Sequence, residues 1–239
     1  MAKYSKTRVD RAGRLFADQV SRFAEDPDLF RDDETLDQAR EAIAAIEWWR
    51  SEHAKPLSRV AANLRYYVGE EGKPVVAQRL KRVPTIAGKL LREPAMKLSR
   101  MADIGGVRAL LPNQAAAYRV AGRLRRNWTI TKFRDYVSEP EEDGYRALHL
   151  INRHRGRVIE IQLRTPSQDV WANLVEALSR DAYPGLKFGK GPSELRDFLF
   201  DYAEILARGD MGLASRKETF DSAKARAIEL TKLRDTDEP

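Results

Sequence analysis

Residues 158–163 read Val-Ile-Glu-Ile-Gln-Leu, and their alternation of apolar and polar side chains is typical of a β-strand. Successive side chains of a strand point to opposite faces, so the isoleucines and the leucine are expected to face a layer of helices. Glu160 and Gln162 would then point the other way. A buried carboxylate needs a partner, whereas an exposed one on a solvated face does not. The segment by itself favours an exposed Glu160.

The segments on either side of this strand predict more of a sheet. Residues 145–152 read as a strand that forms a hairpin with 158–163 through His154–Gly156, and two other strands are predicted at 107–112 and 128–134. Loops are expected at 69–74 and 135–144. Helices are predicted at 7–24, 35–54, 57–68, from about 85 onward, at 113–126 with Asn113 as the cap, at 166–180 and at 193–234.

Together these elements indicate an α+β protein: a mixed β-sheet flanked by helices, with helical extensions at both ends. The expected organisation is a helical extension over residues 1–75, a core over 76–190, and C-terminal helices with an acidic tail over 191–239.

The composition is that of a globular domain with a heavily charged surface. The 239 residues are 42% hydrophobic and 33% charged, with a formal net charge of +7. The chain contains no cysteine, which excludes disulfides and thiolate metal sites and favours a reducing compartment. No apolar run approaches the ~20 residues of a membrane span. The basic N-terminus leads into no apolar stretch, so we expect a cytoplasmic protein with no membrane partner.

The charges are segregated along the chain. Acidic residues concentrate at 24–42, and basic residues concentrate at 79–108 and 119–134. This segregation favours an anionic partner, such as a nucleotide or a nucleic acid, over a basic surface that only keeps the protein in solution.

Two segments that precede the central strand carry candidate phosphate and metal ligands. The run from Arg79 to Thr85 includes Lys81, and Lys89 follows one helical turn later, so cations would stand beside a helix N-terminus and cradle a phosphate. Asp103 is followed by Ile-Gly-Gly at the mouth of a strand. Such an aspartate suits Mg²⁺, which prefers one or two carboxylates plus phosphate oxygens. The alternatives are a solvated basic helix start and an aspartate that only stabilises a glycine turn.

A third segment carries aromatic residues that suit a nucleobase. Tyr136 and Tyr145 stand at the two ends of a polar loop, and on a strand Tyr145, Ala147 and His149 would share one face. Base stacking and phosphate contacts would then align. The alternative is that Tyr145 is a core aromatic and His149 a hydrogen-bonded structural histidine.

The order of these motifs resembles that of the RelA/SpoT alarmone synthetase domain. The motifs are the basic run with its threonine, Asp-Ile-Gly-Gly-x-Arg, Gly-Tyr-Arg-Ala-Leu-His, and Glu-Ile-Gln-Leu-Arg-Thr at 160–165; the resemblance covers roughly 76–190. It implies a nucleotidyltransferase-like fold and a pyrophosphokinase, in which a ribose hydroxyl attacks the β-phosphorus of ATP and AMP is released. Magnesium and the basic run would stabilise the charge on the phosphates.

The resemblance also implies a role for each candidate residue. Asp103 and Glu160 would be catalytic and would hold Mg²⁺ on the ATP phosphates, and Glu160 would also activate the acceptor hydroxyl. The other implied roles are ATP-phosphate binding by Lys81 and Lys89, with Thr85 where the family usually has serine; adenine bracketing by Arg79 and Arg108; acceptor-base stacking by Tyr145; and acceptor-phosphate contacts from Lys132 and His149.

Residues 48–57 and 79–106 resemble one branch in particular, the toxic small alarmone synthetases of toxin–antitoxin and phage-defence systems. Several members of this branch pyrophosphorylate the 3′ CCA end of tRNA and so stop translation, and others make alarmones. The leading hypothesis is therefore a toxin that acts on tRNA, with ATP as donor and an antitoxin protein as partner. The positive net charge suits an RNA acceptor. Cations on the predicted C-terminal helix would be available to the RNA: Arg216, Lys217, Lys224, Arg226, Lys232 and Arg234.

Two rival functions stay open. One is a synthetase that makes guanosine tetra- and pentaphosphate from GDP and GTP. The other is a non-catalytic RNA-binding module, which would have no need of two magnesium-holding carboxylates. Three departures from the family pattern bear on the choice: the acidic run 141–143 where the family often has lysine, Arg146-Ala147 in place of Gln-Ser, and Asp169 in place of a histidine. The acidic run would repel a free guanosine phosphate, which favours tRNA.

Overall fold

The polypeptide arranges its helices around one five-stranded sheet in a computed structural model, which describes residues 3–26, 28, 32–73, 75–212, 225–227 and 229. The helices are α1 (Lys6–Glu25), α2 (Asp33–Ser51), α3 (Ala54–Gly69), α4 (Val83–Arg92), α5 (Gln114–Asn127), α6 (Pro166–Asp181) and α7 (Ser193–Asp210). The strands are β1 (Val75–Leu80), β2 (Gly105–Leu110), β3 (Ile130–Asp135), β4 (Leu148–His154) and β5 (Arg157–Arg164). Short 3₁₀ turns lie at Leu98–Arg100 and Leu186–Phe188.

The sheet is mixed, with the strand order β1-β2-β5-β4-β3. β2 and β5 are parallel, and the other neighbours are antiparallel. β5, which contains the alternating stretch 158–163, lies in the centre. The expected mixed sheet flanked by helices is thus confirmed, and so are the helical extensions.

Local signals in the sequence determine several element boundaries. The side chain of Asn113 accepts a hydrogen bond from the Ala116 amide (2.9 Å) at the start of α5, as its predicted capping role requires. Thr165 and Gln168 form a reciprocal capping box at the start of α6. The hairpin between β4 and β5 turns at Arg155 and Gly156, both with positive φ (49° and 75°).

Four sequence-based expectations need correction. Residues 75–80, which were not predicted as a strand, form β1; this edge strand exposes most of its side chains, so it lacks an alternating pattern. β4 starts at Leu148 and not at Tyr145. α3 starts at Ala54, because Pro56 lies in its first turn, where no amide proton is needed. The helical region predicted over 193–234 is interrupted after Asp210, where α7 ends.

One face of the sheet is the main hydrophobic core. Ile159, Ile161 and Leu163 are fully buried, as the alternation predicted, and pack with side chains of β2, β4, α3 and α5. Each such side chain contributes roughly 1.5–3 kcal/mol when it leaves water. The opposite face of β5 is therefore available for polar groups.

The flanking helices form further hydrophobic clusters beside the sheet. α1, α2 and α4 share a core around Ile46, Trp49 and Ile86, and α6 and α7 share one around Trp171. The indole of Trp171 donates to the Leu199 carbonyl (2.8 Å) and so fixes α7 on α6. Within the described ranges, no helix has the length and apolar character needed to cross a membrane.

Candidate active site

The strand register gathers the candidate residues on the face of the sheet that is opposite the core. Residues paired across neighbouring strands point to the same side. Arg79 of β1 pairs with Gly106 of β2, and Gly106 pairs with Glu160 of β5. Four further pairings continue this face across the sheet: Arg108 with Gln162, Gln162 with His149, Ile151 with Glu160, and Ile151 with Lys132.

Asp103 lies between two lysines at the start of β2. Lys81 donates to one carboxylate oxygen (2.9 Å) and Lys89 to the other (3.2 Å). The amide of Lys81 also donates to the Ile104 carbonyl (2.8 Å), which ties the end of β1 to the loop that carries Asp103. Burial alone would raise the pKa of Asp103, but the two lysines outweigh it and hold that pKa below its ordinary value.

The two lysines predicted to bind phosphate therefore both contact one carboxylate, that of Asp103. α4 begins at Val83 with a proline in its first turn, and it carries Thr85 and Lys89. These two residues follow Lys81 closely in the sequence, and Lys89 contacts Asp103. An aspartate whose only role is to stabilise a glycine turn would not need ion pairs with two lysines. Asp103 and its lysines are thus a charged cluster with the composition of a phosphate site.

Glu160 is not the exposed glutamate that its own segment favoured. Its side chain is 18% exposed, and His149 Nδ1 lies 3.3 Å from its carboxylate. Gln162 donates to the other carboxylate oxygen (3.0 Å). Burial by itself raises the pKa of Glu160, but the hydrogen bond from His149, together with the charge that His149 carries when it is protonated, holds that pKa below its ordinary value. The negative charge of Asp103 also raises the pKa of Glu160, because like charges repel.

The donor set fits Mg²⁺ that is bound together with nucleotide phosphates. Among the described residues, no group of three or more acidic, histidine or cysteine side chains is placed to hold a metal ion without help. Two carboxylates are what Mg²⁺ requires when phosphate oxygens and waters supply the other ligands. Asp103 and Glu160 are the residues that would hold it.

The two arginines expected to bracket adenine differ in their surroundings. Arg79 is exposed on the edge strand β1. Arg108 is partly buried, and its guanidinium pairs with Asp169 of α6 (2.9 Å). Asp169 also receives Arg164 on the same oxygen (3.1 Å). Asp169 therefore holds Arg108, one of the predicted adenine-binding residues.

The acceptor-side residues are also brought together, except for Lys132. The Tyr145 hydroxyl lies 2.7 Å from His149 Nε2 and accepts a hydrogen bond from Arg164 (2.9 Å). The rings of Tyr136 and Tyr145 are 5.7 Å apart in an edge-to-face arrangement. Burial raises the pKa of Tyr145. Lys132 is exposed on the outer strand β3, opposite Ile151.

The acidic run forms a turn that presents Tyr145. The amide of Gly144 donates to the Glu141 carbonyl (2.8 Å), and the Asp143 carboxylate accepts from the Tyr145 amide (2.9 Å). Gly144 has a φ of 89°, and a Cβ there would lie 2.6 Å from the Cβ of Ala203. Glu141 and Glu142 are exposed on this turn.

Sequence reasoning missed Arg164 as a site residue. It is only 7% exposed, and it bridges Asp169, Tyr145 and Gln162. The signal was present, because residues 160, 162 and 164 alternate on one strand and share a face. Of the C-terminal cations, Arg226 lies over the Phe198 ring (5.5 Å); Arg216, Lys217, Lys224, Lys232 and Arg234 lie outside the described residues.

Comparison with known proteins gives consistent matches. Residues 78–180 match the model of the region found in RelA / SpoT proteins. The GTP pyrophosphokinase YwaC of Bacillus subtilis is 32% identical over 142 residues, which are 53% of this chain and 65% of that protein. The uncharacterized protein Rv1366 of Mycobacterium tuberculosis is 34% identical over 161 residues, which are 64% of this chain and 56% of that protein. The chain thus spans between half and two thirds of these curated relatives.

Solved structures agree with the sequence matches. The crystal structure of small alarmone synthetase 2 from Bacillus subtilis is 28% identical, with a TM-score of 0.54 over 65% of this chain and 90% of that one. Small alarmone synthetase 1 from the same organism, bound to its product pppGpp, shares the fold at 21% identity, with a TM-score of 0.58 over 80% of this chain and 98% of that one. Residues 78–180 are therefore similar to the region found in RelA / SpoT proteins, and the fold is similar to that of the small alarmone synthetases.

Proposed function

We propose that the protein is an ATP-dependent pyrophosphokinase that transfers the β,γ-diphosphate of ATP to a ribose 3′-hydroxyl. One observation carries the proposal: two partly buried carboxylates lie on neighbouring parts of the fold, Asp103 in the loop just before β2 and Glu160 on β5, which pairs with β2. Lys81 and Lys89 stand at the first of them. A module that only binds RNA would not need this arrangement, because cations and aromatic rings suffice for that task.

The ATP-binding side of the site, formed by Lys81, Lys89 and Asp103, can exchange the carboxylate that pairs with the lysines for phosphate groups. Lys81 and Lys89 are both paired with Asp103. Polyphosphate oxygens are equally good partners for these ammonium groups. If ATP phosphates bound the two lysines, the Asp103 carboxylate would be available to hold Mg²⁺. Bound Mg²⁺ supplies neutralisation of the charge that develops on the phosphates.

The acceptor step assigns Glu160 the role of general base. Its ionised carboxylate accepts the proton of the 3′-hydroxyl, and a new bond forms between that oxygen and the β-phosphorus. The bond from the β-phosphorus to the oxygen bridging it to the α-phosphate breaks, and AMP leaves with the electron pair. His149 donates to Glu160 and keeps the carboxylate oriented. A positioned base of this kind contributes about 10²–10⁴-fold to a rate.

A guanosine di- or triphosphate is the first candidate for the acceptor. Two relatives of about 30% identity are named GTP pyrophosphokinases, YwaC and YjbM. Here, Tyr145 and Tyr136 offer ring surface for a base, and His149 and the exposed Lys132 offer polar groups for phosphates. Base stacking on such a tyrosine contributes about 1–3 kcal/mol.

The tRNA 3′ end is the second candidate, and the acidic turn favours it. Glu141 and Glu142 are exposed beside the acceptor tyrosines, and the charge of Glu141 raises the pKa of Tyr136 after the larger effect of burial. A free guanosine triphosphate would bring several negative charges towards this turn. A terminal adenosine of tRNA brings a single phosphodiester to the same place, so it is repelled less.

An acceptor test separates these candidates. The protein is incubated with Mg²⁺ and ATP labelled at the β and γ phosphates, in parallel with GDP, GTP, deacylated tRNA or tRNA that lacks its terminal adenosine. The Glu160→Gln variant is the matched control. Transfer only to GDP or GTP would establish the guanosine acceptor, and transfer to intact tRNA alone would establish the tRNA acceptor. No transfer to any acceptor, together with RNA binding, would support the non-catalytic module instead.

The proposed toxin role extends the same activity to the cell. Expression of the wild-type chain is expected to arrest growth and that of Glu160→Gln to be tolerated, because the arrest would depend on the transfer reaction. An antitoxin protein, acting by binding or by removal of the product, is the proposed partner, and the cytoplasm is the proposed location. Equal growth of both strains at matched expression would contradict the toxin role. It would leave the proposed pyrophosphokinase activity unaffected.

A further inference from the structure

Two small residues separate Arg79 from Arg108 on the sheet. β1 and β2 are antiparallel, and Arg79 pairs with Gly106. Ala77, two residues earlier on β1, pairs with Arg108. Paired residues, and residues two apart on one strand, point to the same face. The four positions therefore form a square on the face that carries Glu160, with an arginine at two opposite corners and almost no side chain at the other two.

The two small residues leave open space between the arginines. Ala77 is exposed on the edge strand β1. A Cβ added at Gly106 would meet nothing closer than Cγ of Arg79, at 4.0 Å. A flat group therefore has room to lie over Ala77 and Gly106 and to contact the guanidiniums beside them. An arginine suits such a group because the planar face of its guanidinium stacks on ring systems.

Arg108 is held in place by Asp169, which lies in the first turn of α6. Nη1 of Arg108 is 2.9 Å from Oδ1 of Asp169. The same oxygen accepts a hydrogen bond from Arg164 (3.1 Å), and Oδ2 accepts one from the Asn173 amide (3.1 Å). The side chain of Asp169 is 13% exposed, whereas that of Arg108 is 35% exposed. A fixed and largely buried carboxylate thus holds a guanidinium that solvent still reaches.

This ion pair restricts Arg108 without using its planar face. The N–H groups of a guanidinium lie in the plane of the group, so a carboxylate bound at Nη1 leaves the two faces free for stacking. A free arginine side chain loses rotamer entropy when it orders against a ligand, whereas one that is already held loses less. Asp169 therefore preorganises Arg108 for a planar ligand.

The position of Arg108 suits the base of the proposed donor. Lys81 and Lys89, the proposed phosphate ligands, contact Asp103 just before β2. Arg108 lies three residues beyond Gly105, the first residue of β2, which is roughly 10 Å along a strand. A nucleotide with its phosphates at the lysines would extend its base along β2 towards the arginines.

We propose that Asp169 is a positioning residue that acts through Arg108 and holds its guanidinium ready to stack on the base of the donor. The base slot is the space bounded by Arg79, Arg108, Ala77 and Gly106. In this slot Ala77 determines specificity, because a larger side chain there would occupy the space of the base. The inference rests on the proposed use of ATP as the donor.

The test compares two probes that differ by the nucleoside. One is α,β-methylene ATP, whose diphosphate cannot be transferred, and the other is inorganic triphosphate; calorimetry measures the affinity of each in the presence of Mg²⁺. Asp169→Asn is expected to weaken binding of the analogue roughly tenfold, the size of one charged hydrogen bond, and not to weaken binding of triphosphate. Arg108→Lys keeps the charge but has no planar group, so it should weaken the analogue at least as much.

Two matched substitutions on β1 test the slot itself. Ala77→Val adds two methyl groups on the face of the arginines and is expected to weaken binding of the analogue roughly tenfold, again with no loss for triphosphate. Gln78→Val is the control and should change neither affinity, because residue 78 is also exposed but points to the opposite face. The double variant Asp169→Asn/Arg108→Lys should bind the analogue no worse than the poorer single variant, since Asp169 acts through Arg108.

The proposal would be overturned by an Asp169→Asn variant that keeps the affinity of the wild type for the analogue, by equal losses for the two probes, or by additive losses in the double variant. If Asp169→Asn does not fold, Arg108→Lys and Ala77→Val test the same slot, and unchanged analogue binding by both overturns it. Variants that behave as expected, together with no transfer of label from ATP to any acceptor, would refute the proposed function and leave the positioning role of Asp169 standing.

Discussion

Acidification below pH 6.5 is expected to destabilise the protein through one buried histidine, His53. This residue lies between α2 and α3, is 1% exposed, and its Nδ1 donates to the Trp49 carbonyl (2.8 Å). Its Cβ approaches the position that a side chain at Gly105 would take (3.7 Å). The guanidinium of Arg157 lies over the Trp49 ring (4.3 Å). A proton on His53 would place a second buried cation next to Arg157, close to the start of β2.

Burial is the main cause that lowers the pKa of His53 from 6.5 to about 4, and the charge of Arg157 adds to it; the hydrogen bond to Trp49 opposes both. The folded state thus binds the proton more weakly than the unfolded state does. Stability from this group is complete above pH 6.5 and is lost as the pH falls from 6.5 to about 4. The pKa difference corresponds to about 3 kcal/mol, a large share of the 5–15 kcal/mol typical of a domain.

The assay is urea unfolding of the wild type and His53→Gln at several pH values between neutrality and pH 4. Other groups titrate in this window in both proteins, so the informative quantity is the difference between the two pH profiles. The wild type is expected to lose about 3 kcal/mol more than the variant across the window. His154→Gln is the control: its pKa is also lowered, but the residue is only partly buried, so its effect should be smaller. Parallel profiles for wild type and His53→Gln would refute the reasoning.

Three other perturbations test the site and the fold. Glu160→Gln is expected to lower kcat about 10²–10⁴-fold with an unchanged melting temperature, and an active variant would remove Glu160 from the mechanism. Gly144→Ala should cost about 1–3 kcal/mol in urea unfolding, since φ is positive and the new Cβ meets Ala203; Gly156→Ala, with positive φ but open space, should cost less, and equal losses would contradict the steric argument. Asn113→Ala should cost about 1 kcal/mol through the lost cap of α5, and no change would show that the cap is not stabilising.

The sequence was sufficient to predict those structural features that depend on residues close to one another in the chain. The alternation along 158–163 predicted both the strand and the side it buries, because successive strand residues face opposite sides. The Asn113 cap and the turn at Gly156 were predicted from residues within one turn of each other. The edge strand β1 was missed for the converse reason: its exposed side chains leave no periodic pattern.

The order of the motifs predicted which residues are candidates for the site, but it did not predict which of these residues contact each other. Sequence alone placed Asp103, Glu160 and the lysines on a list of candidates. Only the sheet order β1-β2-β5-β4-β3 brought Lys81 to Asp103, 22 residues away, and Arg164 to Tyr145, 19 residues away. The tertiary structure also decided that Glu160 is partly buried and that Asp169 receives two arginines. Local patterns fix which face a side chain takes, whereas its partners depend on strand pairing and helix docking, which are set by contacts between distant parts of the chain.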